Sequence, residues 1–323
     1  VVFNFGQYAL GADAIINMFA AFDIHISKGL CCLILLAVSV PLSLMYGSGE
    51  NPKGVKIVEN AIKVMIGIML IVFIAVVCVT GINVPAMIKG LLIPKLPSGI
   101  DGMVTLIASM TATIGVMDWL LFNNGMIARG FSEDHERLGR FDAFCGGLLP
   151  VTLVLSLVSI AFAEAFSGKP GIPTTSSELC EALMGVIPSV WIQAGFYLGV
   201  LAMVLSSMIG LSATCASSFY QSLNIPRNTK AWYHPLVVLA PQIGCLGVFF
   251  GKPVTIVVTV AAMQSLFNWI SGNSWYLLGN DPRYLGKKVI QSRFFNFGIL
   301  VGISILNIVF ITFVMGKMGV WPE

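Results

Sequence analysis

One stretch of the chain decides its fold class: residues 62–83 read IKVMIGIMLIVFIAVVCVTGIN, and Lys63 is the one charged residue among them. About 20 apolar residues is the length that an α-helix needs to cross the roughly 30 Å hydrocarbon core of a bilayer. Apolar runs of similar length recur along the chain. They predict nine membrane spans, at residues 1–21, 28–46, 62–83, 102–127, 143–166, 194–220, 234–251, 253–279 and 294–316.

The overall composition excludes a soluble protein. Hydrophobic residues make up 57% of the 323 residues and charged residues only 10%, whereas about a quarter of a typical soluble domain is charged. Backbone groups in lipid must bond within the protein, so a spanning segment is a helix or a strand of a closed barrel. The alternation of barrel strands is absent here. The sequence therefore predicts an all-α polytopic membrane bundle that forms a single transmembrane domain over residues 1–323.

The positive charges predict the orientation of the chain. If the loop 47–61 and every second loop after it lie inside, 12 of the 18 lysines and arginines lie inside as well. Cytoplasmic loops carry such an excess of Lys and Arg in membrane proteins. We therefore expect a multi-pass protein of the plasma (inner) membrane, with the loop 47–61 and the alternate loops in the cytoplasm.

The fourth predicted span has a polar centre. Residues 103–131 read MVTLIASMTATIGVMDWLLFNNGMIARGF, where the β-branched and glycine-containing stretch 111–115 is followed by Asp118. Transporters place substrates at the midplane of the bilayer, where helices unwind. A carboxylate at that depth costs about 2.5–3.5 kcal/mol on insertion scales. Asp118 therefore either contacts a cation in a wet cavity or caps the second half of a broken helix.

The eighth predicted span carries amides. Residues 254–286 read VTIVVTVAAMQSLFNWISGNSWYLLGNDPRYLG, and Gln264 lies deep within the apolar part. An amide at this depth lines a cavity or bonds a neighbouring helix. The sequence contains no P-loop, HExxH, GxSxG or dinucleotide-binding motif. We therefore expect a transporter rather than an enzyme, with no bound cofactor.

Several of these segments resemble the Nramp divalent-metal transporters in their order along the whole chain. The stretch SMTATIGVMDWLLFNNGMIARG (109–130) resembles the family's sixth helix, SSMIGLSATCASSFYQSLNIPR (206–227) its eighth, and MQSLF (263–267) with GNDPRYLG (279–286) its tenth helix and the following loop. The resemblance implies a leucine-transporter-like fold with two inverted repeats. The nine spans would match the family's third to eleventh helices. The chain therefore looks truncated at its N-terminus, without the family's first two helices.

The resemblance also implies a metal site. Aligned on its Ala-Thr pair, Ala112 keeps the position of a coordinating carbonyl, while Gly115 stands where the family has a metal-binding Met and Met117 where it has a His. Gln264 matches the glutamine of the tenth helix. The predicted metal residues are Ala112, Gly115, Met117, Asp118 and Gln264.

The family's proton route looks neutralised. Its acid pair in the third helix falls on Asn4 and Gln7, and the seventh span has no arginine. This pattern resembles the Nramp-related magnesium transporters. We therefore expect a transporter of divalent cations, Mg²⁺ and possibly also Mn²⁺, with weak or no proton coupling.

Three alternatives remain open. The first is a proton-coupled Mn²⁺/Fe²⁺ importer in which Met117 or Met110 supplies the sulfur ligand. The second is an amino-acid transporter of the same fold, which Asp118 disfavours, and the third is a structural membrane subunit, which the polar spans disfavour. The expected partners are the divalent cation as substrate and the lipid bilayer, with neither a nucleic acid nor an obligate protein partner.

Overall fold

The computed structural model describes residues 2–48, 52–92, 99–113, 122, 126, 131–166, 173–226, 228–285 and 293–318. The described residues form helices and no strands. The helices are α1 (Val2–Ala20), α2 (Lys28–Ser48), α3 (Pro52–Thr80), α4 (Val84–Leu92), α5 (Gly99–Thr113), α6 (Glu136–Phe141), α7 (Leu149–Ala165), α8 (Ser176–Met184), α9 (Val190–Ser222), α10 (His234–Leu239), α11 (Pro253–Gly279), α12 (Pro282–Leu285) and α13 (Arg293–Lys317). The prediction of an all-α fold is confirmed.

Five of the described helices are long and apolar enough to cross a membrane: Lys28–Met45, Glu59–Thr80, Glu136–Ala165, Val190–Ser222 and Pro253–Gly279. The third of these runs through α6, a π-helical segment at Asp142–Leu148 and α7. Shorter apolar helices cover His234–Phe249 and Asn296–Thr312. The fourth predicted span lies outside the described residues after Thr113, apart from residues 122 and 126. The multi-pass character of the chain therefore rests on helices that the sequence predicted.

The surface of α3 shows why these helices suit lipid. Val64, Ile71 and Val79 each expose more than 60% of their surface, although they belong to the most apolar stretch of the chain. Soluble monomers rarely expose several large apolar side chains along one helix in this way. A hydrocarbon surrounding accounts for the outward-facing apolar side chains of α3.

The chain divides into two compact units, one formed by residues 1–92 and 120–257 and the other by residues 93–119 and 258–323. In the first unit α1 is the central helix. It packs against α2, α8, α9 and the 3₁₀ helix Ala240–Phe249, which continues α10. Pro241 follows the last residue of α10 by two positions and lacks the N–H that an α-helix would use.

Glycines let the 3₁₀ helix approach α1 closely. A Cβ atom added at Gly247 would lie 2.0 Å from the carbonyl oxygen of Phe5, and one at Gly244 would lie 2.5 Å from Cβ of Asn4. Real Cβ atoms do not come this close to other atoms. The two glycines therefore set the distance at which the 3₁₀ helix contacts the N-terminal half of α1.

The second unit is built around α5, α11 and α13. Ile107 and Ala108 of α5 pack against Ala261 and Ala262 of α11. Farther along α11, the Trp269 ring stacks on Phe310 of α13, with ring centroids 4.7 Å apart. Val104 and Val258, one turn earlier on each helix, pack against the same cluster.

Candidate functional site

The predicted metal residues fall partly within the described chain. Ala112 is the last residue but one of α5, and Gln264 lies on α11 with a half-buried side chain. Both belong to the second unit. Gly115, Met117 and Asp118 lie outside the described residues, so their predicted roles remain predictions.

Beside Ala112, the contact between α5 and α11 is polar. The side-chain amide of Asn268 donates to the backbone carbonyl of Thr111 over 3.5 Å. Thr111, Ser265 and Asn268 are at least 98% buried. We call these three residues the α5–α11 polar seam. The hydroxyl oxygens of Thr111 and Ser265 have no hydrogen-bond partner within the described part of the chain.

A buried hydroxyl is stabilised by a hydrogen-bond partner. Burying a hydroxyl without a hydrogen bond costs about 1–3 kcal/mol in protein experiments, so a water or a hydrated ion at the seam would relieve that cost. Every polar side-chain atom of the seam is an oxygen or an amide nitrogen. Oxygen ligands suit hard cations such as Mg²⁺. The seam therefore adds oxygen donors next to the carbonyl proposed to bind the metal.

Asn268 was not among the predicted site residues. It follows Gln264 by four positions, and residues four apart lie on the same face of a helix. That spacing was the one signal in the sequence. Its partner could not be read from the sequence, because Thr111 lies 157 residues away.

Asn4 and Gln7 are both buried in the first unit, with 0% and 4% of their surface exposed. The Asn4 amide donates to the backbone carbonyl of Pro241 in the 3₁₀ helix over 2.9 Å. The side-chain oxygens of both residues have no partner among the residues that the structure describes. We call Asn4 and Gln7 the α1 amide pair.

A second set of neutral side chains lies next to the α1 amide pair. Gln242 accepts from the Tyr8 hydroxyl and from Ser39 over 3.2 Å, and its amide donates to Ser43 over 2.8 Å and to Ser212 over 3.0 Å. We call these five residues the Gln242 cluster. It joins α1, α2, α9 and the 3₁₀ helix. Sequence reasoning missed it because its members lie far apart in sequence, in four different helices.

The buried polar side chains of the described chain carry almost no ionisable groups. They include no Asp, Glu, Lys or Arg, and His234 is the one member able to carry a positive charge. In addition, no group of three or more His, Cys, Asp or Glu side chains in the described ranges is arranged to hold a metal ion. A cation site built from these residues would consist of neutral oxygen donors.

Comparison with known families identifies a family of membrane transporters, which agrees with the long apolar helices of the described chain. The family model for Natural resistance-associated macrophage protein-like proteins (Nramp) matches residues 7–314, which is most of the chain. A search of curated proteins found no match. The match contains the helices that carry the α5–α11 polar seam and α1 from Gln7 onward. The chain belongs to the Nramp family, whose members transport divalent metal cations across membranes.

Proposed function

We propose that this protein transports Mg²⁺, and also Mn²⁺, with weak or no coupling to protons. The observation that carries the proposal is the α1 amide pair. Amides do not gain or lose protons near neutral pH. Because Asn4 and Gln7 are both buried and Asn4 binds the 3₁₀ helix, no titrating side chain occupies those two places.

The neighbours of the amide pair support the same interpretation. The Gln242 cluster contains hydroxyls and one amide, and its hydrogen bonds hold the amide on both its oxygen and its nitrogen. A proton moving along a buried route needs a series of groups that accept and release it, such as the Asp, Glu and His chains of pumps. The cluster supplies none, which favours transport without a proton.

The choice of cation rests on ligand chemistry. Mg²⁺ takes oxygen ligands and keeps several waters, whereas sulfur ligands favour softer metals. The α5–α11 polar seam offers oxygens, and the sequence offers the Ala112 carbonyl, Asp118 and Gln264. Gly115 in place of the family's methionine removes a sulfur ligand and leaves room for a hydrated ion.

The test is an uptake assay with the full-length protein in liposomes that contain a dye for Mg²⁺ or Mn²⁺ together with a pH dye. We expect uptake of both ions without acidification of the lumen. Protein-free liposomes measure leakage, and a proton ionophore should leave the initial rate unchanged when the membrane potential is clamped. Strong metal-dependent acidification with no Mg²⁺ signal would contradict the proposal and favour a proton-coupled importer of Mn²⁺ or Fe²⁺.

A further inference from the structure

Two cysteines meet where α2 packs against the 3₁₀ helix of the first unit. Cys32 of α2 is 8% exposed, and its thiol donates to the backbone carbonyl of Cys245 over 3.7 Å. The side chains of Cys32 and Cys245 are also in hydrogen-bonding contact with each other. Both thiols are free, so the structure shows the pair in its reduced form.

The neighbouring contacts fix the two helix faces that carry these thiols. Cys32, Ser39 and Ser43 are spaced by seven and four residues, which places them on one face of α2. Gln242 and Cys245 are three residues apart, and a 3₁₀ helix has three residues per turn, so they share a face as well. The Gln242 side chain binds both serines, and the two thiols meet one turn farther along the 3₁₀ helix. The thiol pair therefore belongs to an interface that hydrogen bonds already hold in register.

The pair lies near one end of both helices. Cys32 follows the first residue of α2 by four positions, which is about 6 Å along an α-helix. Cys245 precedes the last residue of the 3₁₀ helix by four positions, which is about 8 Å at the rise of that helix. The positive charges predict that the adjoining loops, 22–27 and 250–252, lie outside. Disulfides form and persist on the outer side of a plasma membrane.

We propose that Cys32 and Cys245 form a reversible disulfide that joins α2 to the 3₁₀ helix, with a hydroperoxide as the oxidant. Hydrogen peroxide transfers one oxygen to the half-buried Cys245 thiol, which becomes a sulfenic acid, and water leaves. The Cys32 thiol then attacks the Cys245 sulfur, the S–S bond forms, and the hydroxyl leaves with the thiol proton as a second water. The two thiols thus lose two electrons and two protons to the peroxide, and a dithiol reductant restores them.

The partner thiol decides what becomes of an oxidised Cys245. A sulfenic acid that meets no thiol is oxidised further to a sulfinic acid, which a dithiol does not reduce. Cys31 is next to Cys32 in sequence, but successive residues of a helix point to different sides, and Cys31 is 0% exposed. Cys32 is therefore the thiol that protects Cys245 from irreversible oxidation.

The first experiment treats the unmodified full-length protein in nanodiscs with hydrogen peroxide, blocks the remaining thiols with a maleimide, and maps disulfides by mass spectrometry without reduction. Cys78 is exposed near the end of α3, and the peroxide concentration is set so that Cys78 becomes oxidised. We expect a peptide pair joined through Cys32 and Cys245 that disappears after treatment with dithiothreitol. Oxidised Cys78 alongside free Cys32 and Cys245 would overturn the proposal.

Two substitutions at adjacent positions separate the roles of the thiols. Cys32→Ala removes the attacking thiol, so dimedone, which traps sulfenic acids, should label Cys245 at least about tenfold more than in the unmodified protein. Cys31→Ala is the matched control, and it should form the disulfide as the unmodified protein does. Equal dimedone labelling of Cys245 in the two variants would overturn the role of Cys32.

The bridge should also stabilise the protein. It would join positions that are 213 residues apart, and a disulfide restricts the unfolded chain more when the loop it closes is long. We expect oxidation to raise the apparent Tm in detergent for the unmodified protein and for Cys31→Ala, and not for Cys32→Ala. A lower Tm of the bridged protein would contradict the fit of the disulfide to this interface. None of these measurements needs transport, so their outcome is separate from the choice of cation.

Discussion

At the scale of the residue, a few neutral side chains stand where charge or sulfur would be expected. From the resemblance to the family, we propose that the α1 amide pair stands in place of a pair of acids and Gly115 in place of a thioether. Each substitution removes one chemical ability, namely proton exchange or the binding of soft metals. Restoring the ability at a single position is therefore an informative experiment.

Replacing Gly115 with methionine should shift selectivity from Mg²⁺ toward Mn²⁺. A thioether has little affinity for Mg²⁺, takes up space that water would fill, and is a better ligand for transition metals. We expect the ratio of kcat/KM for Mn²⁺ to that for Mg²⁺ to rise at least about tenfold, which corresponds to about 1.4 kcal/mol. Competition uptake in proteoliposomes measures this ratio.

Gly67→Met is the matched control, because a Cβ at Gly67 in α3 meets no other atom within 4 Å. Its selectivity should equal that of the unmodified protein. If Gly115→Met also left the ratio unchanged, the alignment of position 115 with the family's metal-binding methionine would be wrong.

Replacing Asn268 with leucine should weaken cation binding while preserving the shape of the side chain. The change removes the donor to the Thr111 carbonyl, which precedes the proposed carbonyl ligand of Ala112. A hydrogen bond contributes about 1 kcal/mol, so we expect KM for Mg²⁺ to rise about fivefold with little change in the maximal rate. Concentration-dependent uptake separates the two parameters.

Asn273→Leu serves as the control, because the Asn273 amide binds Asn307 of α13 over 2.9 Å and lies farther along the same helix. It should lower the amount of folded protein and the maximal rate, with KM unchanged. A fall in the maximal rate without a change in KM for Asn268→Leu would indicate a structural role alone.

At the scale of the element, the contact between α1 and the 3₁₀ helix depends on the absence of side chains. Gly247→Ala should force the two helices apart, since the new methyl would meet Phe5 backbone atoms at 2.0 Å. Overpacking typically costs about 1–3 kcal/mol. We expect the apparent Tm in detergent to fall by several degrees, while Gly251→Ala, where a Cβ meets nothing within 4 Å, leaves it unchanged. Equal Tm values for the two variants would contradict this close approach.

The elements also show what hydropathy can predict. The existence of α3 could be predicted from its sequence alone, because an apolar run of this length is what a membrane-spanning helix requires. That of α8 could not, because a nine-residue helix in a loop leaves no long apolar run. The change from α10 to a 3₁₀ helix also escaped prediction, although Pro241 marks its place.

At the scale of the whole molecule, the family followed from the order of several motifs along the chain, and the all-α fold from its long apolar runs. Residue contacts between distant segments did not. Asp13 lies within the first predicted span, but its bond to Ser176, 163 residues away, depends on how α1 and α8 pack. The same holds for Gln242 and Asn268. Packing angles decide which polar side chains meet, and a single sequence carries little information about them.

The neutral α1 amide pair has an electrical consequence. A divalent cation that crosses without an accompanying proton carries two charges, so the proposed transport would generate a current. Each charge gains about 2.3 kcal/mol per 100 mV of membrane voltage, and the two together about 4.6 kcal/mol. At equilibrium that voltage alone would hold the ion about 2000-fold more concentrated on the negative side. The membrane voltage would then drive uptake of this cation, and uptake would not dissipate the pH gradient of the cell.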